Sequence, residues 1–156
     1  MSGNWFRRTR CIELSTFEYL KRVIENNWSG VTVVKSFTQA YDSAVPVVCI
    51  RLDETITGKL EIGATTYNSS YAIIVDIFAT SDAQRLDLSD FILNQIAGTW
   101  TYSNYAHNSG RTDIVATPDG KMQMVLITED RKVEVVENPE SQDRFRHIIS
   151  FWVKKF

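Results

Sequence analysis

The stretch that most constrains this chain is Tyr71 to Ala79, YAIIVDIFA, where apolar residues occupy both alternating faces of an extended segment. Such a segment must be covered on both sides and reads as a central strand. Directly after it stands Ser81-Asp82-Ala83-Gln84, a capping box in which the first and last side chains each satisfy a free backbone donor at a helix start. Asp82 also suits the positive end of a helix, which should run to about Ala97 and stop at Gly98. At 100° per residue, Leu88, Phe91, Ile92 and Ile96 form one apolar sector, which Leu86 and Leu93 extend; Asp87, Asp90 and Asn94 keep a narrow polar strip. A helix lying on one sheet needs an apolar arc of roughly 100°. This arc is wider, so a second surface is expected against it, with Leu86 and Leu93 as the outer contact residues.

The remaining pattern builds a layered domain around that pair. Ser15-Thr16-Phe17-Glu18 has the same capping form, and Phe17, Leu20, Val23, Ile24 and Trp28 then share one helical face, predicting a first helix from Ser15 to about Asn27. Val31 to Phe37 reads as a short strand and Gln39 to Ala44 as a polar connection. Val47 to Asp53 and Ile56 to Ala64 both alternate, predicting a projecting hairpin in which Asp53, Glu54 and Lys59 offer both charge signs to a partner. Trp100 to Tyr105 and Thr112 to Ala116 precede a tight-turn signal at Pro118-Asp119-Gly120. Lys121 to Thr128, a second turn at Glu129-Asp130-Arg131, Val133 to Val136 and an alternating strand from Arg144 to Val153 complete the chain. Residues 1–14 carry Trp5, Phe6, Arg7, Arg8 and Arg10 with no period, and read as an extended arm. The expectation is an α+β fold: a mixed, largely antiparallel sheet with two main helices packed on it, a projecting β-hairpin, and an extended N-terminal arm (1–14) ahead of a single domain (15–156).

Composition narrows the function. At 156 residues with 44% hydrophobic content, the chain supports one core. A formal charge of −2 and a pI near 5.7 give no overall attraction to nucleic acid or to anionic lipid. No run approaches the roughly 20 apolar residues of a membrane span, and the N-terminus lacks the apolar run of a signal peptide. Cys11 and Cys49 are too few for a disulfide framework and are expected reduced. Zinc-type spacings, the GxSxG elbow and phosphate-cradling glycine patterns are missing. No catalytic, metal or cofactor-binding residues are therefore assigned. His147 falls on the apolar face of its strand and reads as a hydrogen-bonded core histidine, while His107 reads as a loop residue. Asp76, inside an otherwise apolar strand, needs a partner, for which Arg85 or Arg51 is placed. The aromatic and basic group Trp5, Phe6, Arg7 and Arg8 suits single-stranded nucleic acid or an arm laid on a neighbouring subunit; without a second basic cluster the protein partner is preferred.

The order of these elements resembles the tail terminator and neck (tail completion) proteins of tailed bacteriophages. The likeness is carried by Arg51-Leu52-Asp53, by Glu61-Ile62-Gly63, by Tyr71 to Thr80 running into Ser81 to Leu88, and by Arg144 to Val153, and it spans about residues 15–156. It implies a non-enzymatic structural protein of the virion, made in the host bacterial cytoplasm and assembled as a homo-oligomeric, hexameric ring. It also implies tail tube and head-tail connector proteins as partners. A non-catalytic protein-binding module and another connector (head-closure) subunit are the alternatives.

Overall fold

Strand β3 (Tyr67–Phe78) runs through the middle of the sheet, flanked by β2 (Val47–Lys59) and β6 (Arg146–Lys155), as its two-faced apolar pattern requires. The computed structural model describes residues 5–59, 67–133 and 145–156, with the backbone alone at 54–59 and 67–69. The other elements are α1 (Arg8–Asn27), β1 (Thr32–Val34), α2 (Phe37–Asp42), α3 (Asp82–Ile96), β4 (Thr99–His107) and β5 (Ile114–Val133). The described strands form one mixed sheet in the order β1-β2-β3-β6-β5-β4, in which only the β1–β2 pairing is parallel. Ile73, Val75 and Ile77 of β3 enter the main core with α1 and α3, while Phe78 joins Val47, Cys49 and Ala40 in a smaller cluster on the opposite face, under α2. The fold is α+β, with three helices rather than two.

Curling of the sheet follows from two side chains on α1. Glu13 Oε2 accepts from the backbone N–H of Leu52 on β2 at 2.8 Å, and Ser15 Oγ accepts from that of Ser103 on β4 at 3.0 Å. Positions two apart on a helix point about 200° apart, across a diameter of about 10 Å. In a flat sheet β2 and β4, four spacings apart in this order, would be separated by about 19 Å. The sheet therefore wraps around α1. Both bonds fall where ladder register shifts, between Leu52 and Glu54 and between Thr101 and Ser103, so the helix supplies acceptors at irregular places in the sheet.

Three expectations change here. The first helix begins at Arg8, not Ser15, with Arg7 as an N-cap that makes no side-chain bond. Ser15 and Thr16 are buried mid-helix, and Ile12, Thr16, Leu20 and Ile24, all fully buried, continue one i, i+4 row back through the supposed arm. A buried serine serving a strand looks, in sequence, like a cap. The expected hairpin of Val47–Asp53 with Ile56–Ala64 is instead one strand, β2, which bulges at Asp53 and pairs with β3 out to Lys59↔Tyr67. Its far end, Leu60 to Ala64, lies outside the described residues. The expected turns at Pro118-Asp119-Gly120 and Glu129-Asp130-Arg131 lie inside the 20-residue strand β5. Gly120 has φ +101, and a Cβ there would stand 3.0 Å from the Phe156 carbonyl oxygen; three steps along β5 match two along β4, so the turn-like residues make a bulge. Separately, Ser36 caps α2 by accepting from Gln39 N, within a stretch too short for periodicity to reveal.

The capping box at α3 is present: Ser81 Oγ accepts from Gln84 N at 3.1 Å. Gln84 Oε1 reaches one residue further back than expected, accepting from Thr80 N at 2.8 Å. Because Ser15 Oγ serves a β4 donor in the interior, Ser15→Ala should cost roughly 1–3 kcal/mol, the penalty of an unpaired buried group. Urea denaturation of the variant against the wild type checks this.

Candidate functional site

The outer edge of β4 is covered by the chain's own first described residues. Phe6 N donates to Tyr105 O at 2.9 Å, and Trp5 bridges Ala106. Cys11 Sγ accepts from Tyr105 N at 3.4 Å, one turn before Ser15 takes Ser103 N. Edge strands invite pairing with other chains unless covered, and this one is. Phe6 packs on the core and meets His107 edge-on at 4.9 Å, with the Arg10 guanidinium 3.8 Å from its ring centre. Arg8 lies over Tyr102 at 5.6 Å, Arg7 is exposed, and Trp5 is 42% exposed. The extended arm of residues 1–14 is thereby corrected: residues 5–6 lie on the sheet and the helix takes over at Arg8.

Asp76 is fully buried beneath α2, on the face opposite the main core. Its Oδ1 accepts from Arg146 Nη2 at 2.7 Å and Nε at 3.1 Å, and Oδ2 lies 3.5 Å from Arg51 Nη2. Both guanidiniums stack on Phe37, at 4.3 Å for Arg51 and 5.2 Å for Arg146. Arg51 was foreseen as a partner; Arg85 is not one, and Arg146 was missed because its register opposite Phe78 cannot be read from one strand alone. Cys49, directly across from Asp76, has its thiol pushed up to about 11, chiefly by burial and then by the Asp76 charge.

His147 is buried and bonded on both ring nitrogens, as its strand position suggested. Arg85 Nη1 can only donate, so Nδ1, 2.6 Å away, accepts; Nε2 then carries the proton and donates to Asp130 Oδ1 at 2.6 Å. Arg85 also holds Asp82 at 3.2 Å, and that hydrogen bond lowers the Asp82 carboxyl from its ordinary value. The group joins α3, β5 and β6 by a polar chain. Among the described residues, no three His, Cys, Asp or Glu side chains converge as a metal ion would require. No described helix is long and apolar enough to cross a membrane.

The contact candidates divide. Leu86 is 53% exposed, whereas Leu93 is partly buried against the core. Asp53 is exposed at the β2 bulge, and Glu54 and Lys59 follow on the same strand, opposite Ala72 and Tyr67. Beyond Tyr71↔Val153, the last rung with β6, β2 and β3 continue as a two-stranded ladder. Sequence reasoning missed the exposure of Val125, Leu126 and Ile127. Bulges between Met124 and Leu126 and between Ile127 and Glu129 interrupt alternation there, and the unbroken apolar run from Met124 to Ile127 was its signal. A shallow groove of about 220 Å³ runs between α1 and β4, lined by Ser15, Glu18, Tyr19, Arg22, Thr101 and Ser103 among others.

No protein-family model matches the chain, and no curated protein matches it.

Asp76→Asn keeps the side-chain shape but leaves two guanidiniums facing each other without their carboxylate. It should destabilise the protein by about 3–5 kcal/mol, as loss of one partner of a buried pair does. Arg131→Gln, which removes the exposed partner of Glu129, should cost less than about 1 kcal/mol. Chemical denaturation of both variants measures the contrast.

Proposed function

We propose that this chain is a structural subunit of a tailed-phage virion: a tail terminator or neck protein that forms a ring, caps the tail tube and joins it to the head-side connector. The observation that carries this reading is where apolar surface stays uncovered. Among the described residues the exposed large apolar side chains are Trp5, Tyr41, Leu86, Ile114, Val115, Val125, Leu126, Ile127 and Phe156; five of these nine lie on β5. Three of them, Val125, Leu126 and Ile127, are consecutive, and contiguous exposed apolar surface marks a protein contact. The order of elements around Tyr71 to Leu88, on which the family resemblance rests, supports the same reading.

The role is mechanical. Copies dock on the last ring of the tail tube, end its growth, and present a new surface to the connector. His147, Asp76, Cys11 and Cys49 hold strands and helices to one another, which is what an assembly subunit asks of its interior polar groups. The groove between α1 and β4 favours the second reading, a non-catalytic binding module, in which Glu18 and Arg22 meet a peptide.

Native mass measurement of the purified protein, alone and with tail tubes, separates the two. The ring reading expects a closed multimer of the 17.9 kDa chain, formed either in solution or on the tube, and seen end-on at tube tips by electron microscopy. A chain that remains monomeric and leaves tubes uncapped overturns it.

A further inference from the structure

We infer that copies of this chain join head to tail, with the flank of α3 on one copy seated on the outer face of β5 and β6 of the next. The inference rests on the ring reading and names its interface. Two uncovered apolar places lie on opposite faces of the sheet. α3 lies on the core face through Leu88 and Ile92, and Phe91 on one flank meets Trp28 of α1 at 6.0 Å. At 100° per residue, Leu86 and Leu93 fall together on the other flank with Asp90 beside them. Leu86 and Asp90 are exposed, and Asp90 makes no ion pair among the described residues.

The second place is on the far side. Phe151 and Val153 point into the main core, so Trp152 between them points out, where Leu126 pairs with it across the strands. Leu126 is 57% exposed and Trp152 partly so. Lys154, next outward on β6, is exposed and has no ion pair among the described residues.

At the first place the charge unpaired among the described residues is the Asp90 carboxylate, at the second the Lys154 ammonium, while Asp82 and Glu129 nearby are already paired with Lys132 and Arg131. This complementarity of the unpaired charges selects a second copy as the occupant. Because the two places lie on opposite faces, a two-fold contact through either one would set it against itself and bring its unpaired like charges together. A head-to-tail contact sets Asp90 against Lys154 and Leu86 against Leu126 and Trp152, and it closes into a ring when the rotation per copy divides a full turn. The bulges at Val125 and Thr128 disturb β5 as a pairing edge, which leaves its face as the contact.

The test uses full-length Leu86→Glu and Leu126→Glu, both at exposed positions, with circular dichroism to confirm folding. In solution or on tail tubes, each variant alone should lose ring formation by at least tenfold at matched concentration. An equimolar mixture should give a dimer and nothing larger, because only one intact interface is available: α3 of the Leu126→Glu copy on the sheet face of the Leu86→Glu copy. Asp90→Lys should weaken the ring, and adding Lys154→Glu should restore it. Variants that assemble like the wild type overturn this interface while the ring reading stands. A mixture without dimers overturns the head-to-tail arrangement. Leu126→Glu rings that form normally but no longer bind tubes give that face to the tube and overturn the inference. A wild-type chain that stays monomeric even with tubes overturns both.

Discussion

Everything in this fold turns on the grip of the sheet on α1. Glu13 and Ser15 point to opposite sides of the helix and take backbone donors from β2 and β4, which are separated by three strands in the sheet order. Apolar burial of Ile12, Leu20 and Ile24 supplies the larger share of the free energy, but it has no direction. The two hydrogen bonds do, and they set how tightly the sheet curls and where α1 stops sliding. Tyr19 extends the grip to α3, stacking on Trp100 at 5.4 Å and donating to Gln95 O at 3.0 Å. Covering the β4 edge with Phe6, Cys11 and Ser15 is the same device seen from the side.

Polar groups inside the protein are placed where layers must be held in register. The Asp76 group ties α2 to β2, β3 and β6 on one face, through Arg51, Arg146 and Phe37. The His147 group ties α3 to β5 and β6 on the other. A buried ion pair adds little net stability, because desolvation offsets its attraction, yet removing one member leaves an uncompensated charge. Such groups penalise a slipped register more than they reward the correct one. For a subunit proposed to present fixed surfaces to its neighbours, that property has direct use.

What could be read from the chain depended on how local the deciding interaction was. β3 and α3 were legible because their signals, two-faced apolarity and a capping box, are complete within Tyr71 to Ala97. The start of α1 was misread because Ser15 answers to Ser103, 88 positions away, and a side chain bonding at that distance looks like one capping its own helix. β5 was broken into pieces because Pro118-Asp119-Gly120 serves a bulge as readily as a turn; the partner strand decides, and it lies elsewhere in sequence. Among the contact candidates, Leu86 came from an arc calculation that needs only the helix, and it is exposed. Val125 to Ile127 required knowing that two bulges shift the faces. Arg146 required knowing that its strand lies beside β3.

β5 shows how this architecture leaves surface available without leaving an edge open to uncontrolled pairing. It is 20 residues long and serves two neighbours in succession, β4 up to Gln123 and β6 from Met122 onward. Each half therefore has one side with no partner among the described strands. An unbroken strand in that position, carrying Val125, Leu126 and Ile127, would be a template for aggregation. Irregular register along it, with a left-handed glycine at 120 and shifts after Met124 and Ile127, disrupts the regular hydrogen-bonding row while Val125, Leu126 and Ile127 stay exposed. In the proposed ring, association is then directed to faces, where shape and charge choose the partner, and away from backbone pairing, which accepts almost any strand. That distinction suits the ring subunit proposed above, which would bind its own kind at one angle and stop when the circle closes.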